Sequence, residues 1–227
     1  MLIRAVNRAY RRYMKGEKLV SARHLQPGKR CVKVGANYGY YTLLMTATCG
    51  SEGRVVACEP NPILAETYLP QNLALNGFYH GVEICPKVIG NLDDQTVDFV
   101  LQEGDFATSS LERWAYAHRS GNVQVPAITL DRLCAGWPRV DLVKIDAEGA
   151  EALVWEGMQK TWRRFPNAAV VFELHLQRDP PQTIGLLHRL ERDYALRAIS
   201  YEGEIETTDA AAIQTRPQEH WTLWLQR

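Results

Sequence analysis

The stretch VKVGANYGYYT, Val32 to Thr42, decides how the rest of the chain is read. It passes from an apolar strand, begun at Cys31, through a turn marked by Gly35 and Gly39 into a helix. Glycine at such a turn permits backbone geometries and close approaches that a side chain would block. A strand–glycine turn–helix unit leaves backbone N–H groups at the helix N-terminus, where a nucleotide-like ligand can be held. The spacing is G-x-x-x-G, not the G-x-G-x-x-G of dinucleotide-binding proteins, and alone it is a weak signal. RVVACEP, Arg54 to Pro60, strengthens it. This second apolar strand ends in Glu59, 24 residues beyond Gly35, near the spacing at which an acid reaches the two hydroxyls of a ribose. The competing reading is an acid that merely ends a strand.

The 227 residues suffice for one α/β domain with a substantial core. With 46% apolar and 23% charged residues, and no long uninterrupted apolar run, a membrane span is excluded. The N-terminus lacks the apolar core of a secretory signal. Five scattered cysteines (Cys31, Cys49, Cys58, Cys85, Cys134) form no C-x-x-C pair. Buried reduced thiols, and with them a cytoplasmic setting, are the expectation. The net charge of zero conceals an asymmetry. Residues 1–30 hold nine basic residues and one acid, Glu17, leaving 17 basic and 25 acidic residues for the remainder. Leu2, Ile3, Val6, Tyr10 and Tyr13 keep helical spacing, so residues 1–24 read as a basic amphipathic helix ahead of a domain at 25–227. Such a helix can touch an anionic lipid surface or an acidic partner, but packing on its own domain is the commoner fate.

Strands and helices alternate along the chain. Pro27-Gly28 delivers it into the first strand, and Tyr40 to Cys49 reads as a helix closed by Gly50. Asn61-Pro62 opens a helix that Gly77 ends and Pro70 should kink. Val82 to Ile89 reads as a third strand bent at Pro86, and Val97 to Leu101 as an extra one. Thr129 to Leu133 is a short turn or helix. Val140 to Ile145 is a buried strand, followed by a helix from about Gly149 to Arg163. Ala168 to Leu174 is another buried strand and Thr183 to Tyr194 a helix; Leu196 to Tyr201 and Trp221 to Leu225 close the sheet. The fold expected is a single Rossmann-like, doubly wound α/β domain with a mostly parallel sheet and helices on both faces. Ligands then lie at the carboxyl ends of the central strands.

Two of those strand ends are rich in polar side chains. VKIDAEGAE, Val143 to Glu151, gathers Lys144, Asp146, Glu148 and Glu151, more acids than helix capping requires. VFELHL places Glu173 and His175 two residues apart and so on one face of a strand, as a candidate base or metal ligand.

Together, VGANYGYYT, VVACEPNP with the later NLALNG, ITLDRL, DLVKIDAEGAE and FELHL resemble the FkbM family of S-adenosylmethionine-dependent methyltransferases. The pieces occur in the family's order over roughly residues 25 to 176, and KIDAEGAE following GANYG is the specific part. The resemblance implies a class I methyltransferase fold, S-adenosylmethionine as cofactor and O-methylation of a hydroxyl. Gly35, Asn37 and Gly39 would surround the methionine and ribose portions and Glu59 would bind the ribose hydroxyls. With their neighbours, the candidate cofactor residues are Gly35, Ala36, Asn37, Gly39, Tyr40, Glu59 and Asn61. The candidate catalytic residues are Asp146, Glu148, His175, Glu173 and Lys144. Lys33 is a departure, because the family usually has there an acid that helps hold the methionine ammonium. A lysine reverses the sign beside a cofactor already bearing two positive centres. In an apolar strand it needs the cleft or a neighbouring acid such as Asp146. It can pair with the cofactor carboxylate, weaken cofactor binding, or mark a fold retained for another task.

Methyl transfer from a sulfonium is an in-line displacement in which the protein chiefly aligns donor and acceptor. His175, Asp146 or Glu148 could accept the hydroxyl proton. A divalent metal held by Asp146, Glu173 and His175 is another route to the same end, and the sequence leaves metal dependence open. A nicotinamide-dependent oxidoreductase is disfavoured by the glycine spacing. A catalytically weakened or silent cofactor-binding protein is the stronger rival because of Lys33. Outside its basic head the chain is net acidic, which argues against nucleic acid as partner. A small hydroxylated acceptor such as a sugar or natural product fits better. Acceptor identity and oligomeric state leave no mark in the sequence. Trp114, Tyr116, Trp137, Trp221 and Trp224 are aromatic candidates for a pocket or a subunit contact, with core packing the commoner fate.

Overall fold

The computed structural model describes residues 15–102, 110–111, 119–217 and 220–227. The amphipathic pattern in residues 1–14 lies outside them, as do Asp105, Trp114 and Tyr116. Helix α1 (Lys15–His24) leads into β1 (Arg30–Val34), α2 (Tyr40–Cys49) and β2 (Arg54–Cys58). A π-helical turn (Leu64–Tyr68) runs into α3 (Leu69–Leu75), and β3 (Val82–Cys85), β4 (Val88–Gly90) and β5 (Thr96–Gln102) follow. After β6 (Ser110–Leu111) come β7 (Arg119–Thr129), α4 (Leu130–Leu133) and β8 (Leu142–Ile145). Then follow α5 (Glu151–Glu156), α6 (Gln159–Arg164), β9 (Ala169–Leu174) and α7 (Pro180–Asp193). The chain closes with β10 (Arg197–Ile199), β11 (Ile205–Thr207), α8 (Ala210–Gln214) and β12 (Trp221–Gln226).

Eight strands form the main sheet in the order β11-β10-β12-β9-β8-β1-β2-β3. The run from β9 to β3 is parallel, while β12 pairs antiparallel with β9, and β10 with both β12 and β11. Chain order reverses between β1 and β8, so the topological switch point lies there and a ligand crevice opens at the strands' carboxyl ends. The sheet is covered on both faces. Val32, Val34, Val143, Ile145 and Phe172 point into one cluster with Val154, Trp155 and Trp162, and Cys31, Leu142, Ala169 and Val171 into another with Tyr41, Met45 and Val20. The fold is the expected doubly wound, mostly parallel α/β domain.

Several elements differ from their sequence readings. The strand expected at Val82 to Ile89 is two strands: β3 ends the main sheet, whereas β4 pairs with β7 in a smaller sheet ordered β4-β7-β5-β6. Pro86, which lacks a ladder donor, stands between them. The helix expected at about 149–163 is broken into α5 and α6. A Cβ on Gly157 would lie 1.8 Å from the Gly90 carbonyl oxygen, so β4 crosses where only glycine allows it. Asp131, from ITLDRL, restarts the helix by accepting from the Lys160 and Thr161 N–H groups at 3.0 and 2.6 Å. Pro70 falls in the first turn of α3, directly after the π-helical turn, so its missing N–H is absorbed there. All five cysteines are buried and free. Trp137, Trp221 and Trp224 are buried core residues, and Trp224 also lines a cavity with Val20, His24 and Arg197.

Candidate active site

The cleft is built from the residues that follow β1, β2, β8 and β9. After β1 the backbone turns through three positive-φ residues, Gly35 (73°), Asn37 (53°) and Gly39 (89°). Gly35 is obligatory, because a Cβ would fall 2.0 Å from the carbonyl oxygen of Asp146, on the turn after β8. The two loops are therefore pressed together at the switch point. The Gly35 and Ala36 N–H groups donate to the Cys58 carbonyl at 3.0 and 2.9 Å, which ties the turn to the end of β2. Asn72, from the NLALNG stretch, holds its far side by donating to the Tyr38 carbonyl at 2.8 Å.

Glu59 lies against this turn and is only 5% exposed. Its Oε2 accepts from the Asn37 N–H at 2.6 Å and its Oε1 from the Asn61 N–H at 2.9 Å. Burial pushes its carboxyl up to about 7, against the pull of those two N–H groups. A carboxylate offers about four lone-pair sites, so two remain for a ribose diol, and the donor set fits the cofactor implied by the sequence. The Asn61 side chain has a different occupation. Its Oδ1 accepts from Ile63 and Leu64, capping the helix that follows. Ala36 and Gly39 are buried in the turn, and Tyr40 is half-buried as the first residue of α2, whose N-terminus no side chain among the described residues caps.

Lys33 and Lys144 are register partners on β1 and β8, so both ammonium groups share one face of the sheet. Each has its own acids. Lys33 Nζ is 3.2 Å from Asp146 Oδ2 and donates to the Val34 carbonyl at 3.0 Å, and the residue is 3% exposed. Lys144 is fully buried, 3.0 Å from Glu173 Oε2 and 3.1 Å from Glu17 Oε2 of α1. Burial disfavours the Lys144 charge, yet the two carboxylates outweigh it and hold its pKa well above the usual lysine value. Glu173 is consequently bound inward, to Lys144.

His175 joins a different group. Its Nδ1 is 2.9 Å from Glu151 Oε1, and its Nε2 faces Glu148 Oε2 at 3.8 Å and Asp146 Oδ1 at 3.9 Å. Burial opposes a charged imidazole, but Glu151, Glu148 and Asp146 together raise it to about 10. Burial raises Glu148 to about 7 against the attraction of His175. Asp146 falls to about 2 because Lys33, Lys144 and His175 outweigh its burial. Glu148 itself has φ +50° and is bound by Arg178 at 2.5 Å. Asp146, Glu148 and His175 thus form one cluster against the glycine turn, while Lys144 and Glu173 pair with each other. Two contributors were given no role by the sequence, although Glu151 was named in its polar cluster. Glu151 looked like one more acid at a helix start, and Arg178 lies three residues past His175 in a stretch without pattern. Only the fold shows that Glu151 orients the histidine.

A model of the methyltransferase FkbM domain matches residues 33–198. No protein of curated function matches the chain. Among solved structures, methyltransferase FkbM from Methylobacillus flagellatus is similar at TM-score 0.52 and 14% identity, over 86% of this chain and 43% of that one. The chain therefore spans under half the length of that relative. The O-methyltransferase TomG from Streptomyces achromogenes, solved with S-adenosylmethionine, gives TM-score 0.53 at 17% identity over 97% of this chain and 81% of its own. The O-methyltransferase from Bacillus cereus, solved with S-adenosylhomocysteine, gives 0.54 at 13% over 98% and 82%. At these identities the likeness is one of fold.

Proposed function

The chain belongs to the FkbM family of S-adenosylmethionine-dependent methyltransferases, and we propose that it methylates a hydroxyl oxygen of a small acceptor such as a sugar or natural product. One observation carries this reading. The ribose-type acid Glu59, the glycine turn and a titratable cluster at Asp146, Glu148 and His175 follow the carboxyl ends of neighbouring strands beside the switch point of the sheet, with Gly35 packed directly against Asp146. On this reading the acceptor meets the methyl group beside the titratable cluster.

When bound, the cofactor supplies a methyl group already activated by its sulfonium. The protein's residues divide the remaining work. Glu59 holds the ribose hydroxyls, and the turn from Gly35 to Gly39 shapes the floor beneath them. Glu148, brought near neutral by burial, is matched to take the proton that the hydroxyl loses as its oxygen attacks. His175 is cationic at neutral pH and keeps Glu148 and Asp146 together despite their like charge. Lys33 neutralises Asp146 and so tempers the positive charge that the family pattern would not have placed there. The same contact favours a second reading, a cofactor binder with little turnover, since it engages an oxygen of an acid in the cleft.

Measuring turnover and S-adenosylhomocysteine affinity together separates the two readings. We expect His175→Ala and Asp146→Asn to lower kcat by about 10²-fold or more while leaving cofactor affinity within a few-fold. Undetectable turnover by the unmodified protein across a panel of hydroxylated acceptors, with intact binding, favours the silent binder. Unchanged turnover in both variants removes the catalytic assignment.

A further inference from the structure

Asp146, Glu148 and His175 present one ligand atom each within 4.8 Å of one another. The His175 Nε2 distances of 3.9 Å to Asp146 Oδ1 and 3.8 Å to Glu148 Oε2 are too long for hydrogen bonds. They approach the separation of two ligands that share one cation at about 2.1 Å from each. The other side of the imidazole is already fixed. Glu151 Oε1 lies 2.9 Å from Nδ1 and also accepts from the Ala147 and Gly149 N–H groups at 3.1 and 3.2 Å. Glu151 is 1% exposed, and its second oxygen, Oε2, has no hydrogen-bond partner among the described residues. A buried carboxylate on Nδ1 holds a proton there and aims Nε2 at the two remaining acids, the arrangement that supports histidine as a metal ligand once a bound cation displaces the Nε2 proton. Two salt bridges bound the strength of the site. Lys33 uses Asp146 Oδ2 and leaves Oδ1 to the cleft, whereas Arg178 competes for Glu148 Oε2 itself.

We propose that Asp146 Oδ1, Glu148 and His175 Nε2 form a divalent-cation site with Glu151 as its positioning residue. The mixed nitrogen and oxygen donors suit Mn²⁺, Co²⁺ or Zn²⁺ better than Mg²⁺ or Ca²⁺. Three protein ligands leave coordination positions for water or an acceptor oxygen. That last use rests on the methyltransferase reading; the binding of the cation does not. The ligand set differs from the one suggested by sequence spacing, because Glu173 is drawn inward by Lys144 and Glu148 takes its place.

The test is titration of Mn²⁺ into the chelator-treated protein, followed by calorimetry and by the electron paramagnetic resonance signal of free Mn²⁺, with Co²⁺ absorption as a second probe. One saturable equivalent with micromolar to tens-of-micromolar Kd is expected. His175→Gln should abolish it, and Glu151→Gln should weaken it by about 10-fold or more. Should His175→Gln fail to fold, Glu148→Gln, in a half-buried turn, carries the same expectation of loss. Absence of saturable binding below millimolar Mn²⁺ and Co²⁺ overturns the proposal, as does binding indifferent to these substitutions. S-adenosylhomocysteine is titrated into the same samples. Cation binding without cofactor binding would leave this site standing and remove the methyltransferase reading, and the converse would do the opposite.

Discussion

Glu59 shows most clearly how one residue's surroundings set its chemistry. It was marked in the sequence by its place at the end of an apolar strand, 24 residues past Gly35. Its burial was not visible there, and burial is what raises its carboxyl to about 7. A ribose diol donates best to the ionised form, so cofactor binding must release a proton from Glu59 below that pH. We therefore expect S-adenosylhomocysteine affinity to be about tenfold weaker at pH 6 than at pH 8. Glu59→Gln should bind weakly and show a flat profile. The same slope in Glu59→Gln would place the titrating group elsewhere, with Glu148 the first alternative. His175 and Asp146 were legible as polar groups at strand ends. The exchange of Glu173 for Glu148 beside the histidine was not, because strand periodicity says which face a side chain takes but not which buried lysine will claim it. Lys33 was legible as an anomaly, and its partner Asp146 was anticipated as the acid able to hold it.

Elements were readable where one physical signal dominated. The strand into Gly35, the Asn61 cap and the Gly77 stop each rest on a local rule, and each appears in the structure. Long-range contacts hid the others. Nothing within residues 149–163 announces that the Gly90 backbone will pass over Gly157 and split the helix. The eleven-residue β7 carries Gly121, Asn122 and Pro126, and it exists because it pairs with β4 on one side and β5 on the other. The glycine turn is the element whose geometry is most constrained. Gly35→Ala adds a methyl group 2.0 Å from the Asp146 carbonyl at φ +73°, so the turn and the loop after β8 must part. We expect a loss of more than about 2 kcal/mol in urea unfolding, together with loss of cofactor binding. A variant of unchanged stability would show that the two loops are not in contact.

At the scale of the molecule, alternating strands and helices disclosed the doubly wound class, since a parallel sheet needs crossovers on both faces. Of the smaller β4-β7-β5-β6 sheet only β5 was legible, as the extra strand at Val97 to Leu101; its pairing with β7 and β4 joins segments far apart in the chain. A charge network joins α1 to the centre of the sheet. Glu17 of α1 meets the buried Lys144 of β8 and also accepts from the Thr222 hydroxyl of β12, so three distant parts of the chain share one charge network. Removing one member of a buried ion cluster leaves the rest uncompensated. Lys144→Ala is expected to cost about 3–5 kcal/mol, and Glu17→Ala less, since Glu173 still pairs with the lysine. Chemical denaturation of both variants checks the order. Equal, negligible losses would mean that α1 is held by its apolar contacts alone.

The most direct measurement is calorimetric titration of S-adenosylmethionine and S-adenosylhomocysteine into the unmodified protein and into Lys33→Met. One equivalent at micromolar Kd is the predicted result for the unmodified chain. Lys33→Met should change that affinity by no more than about tenfold, because Asp146 already balances the lysine charge. Absence of binding to both forms at millimolar ligand would contradict the account and leave only the fold.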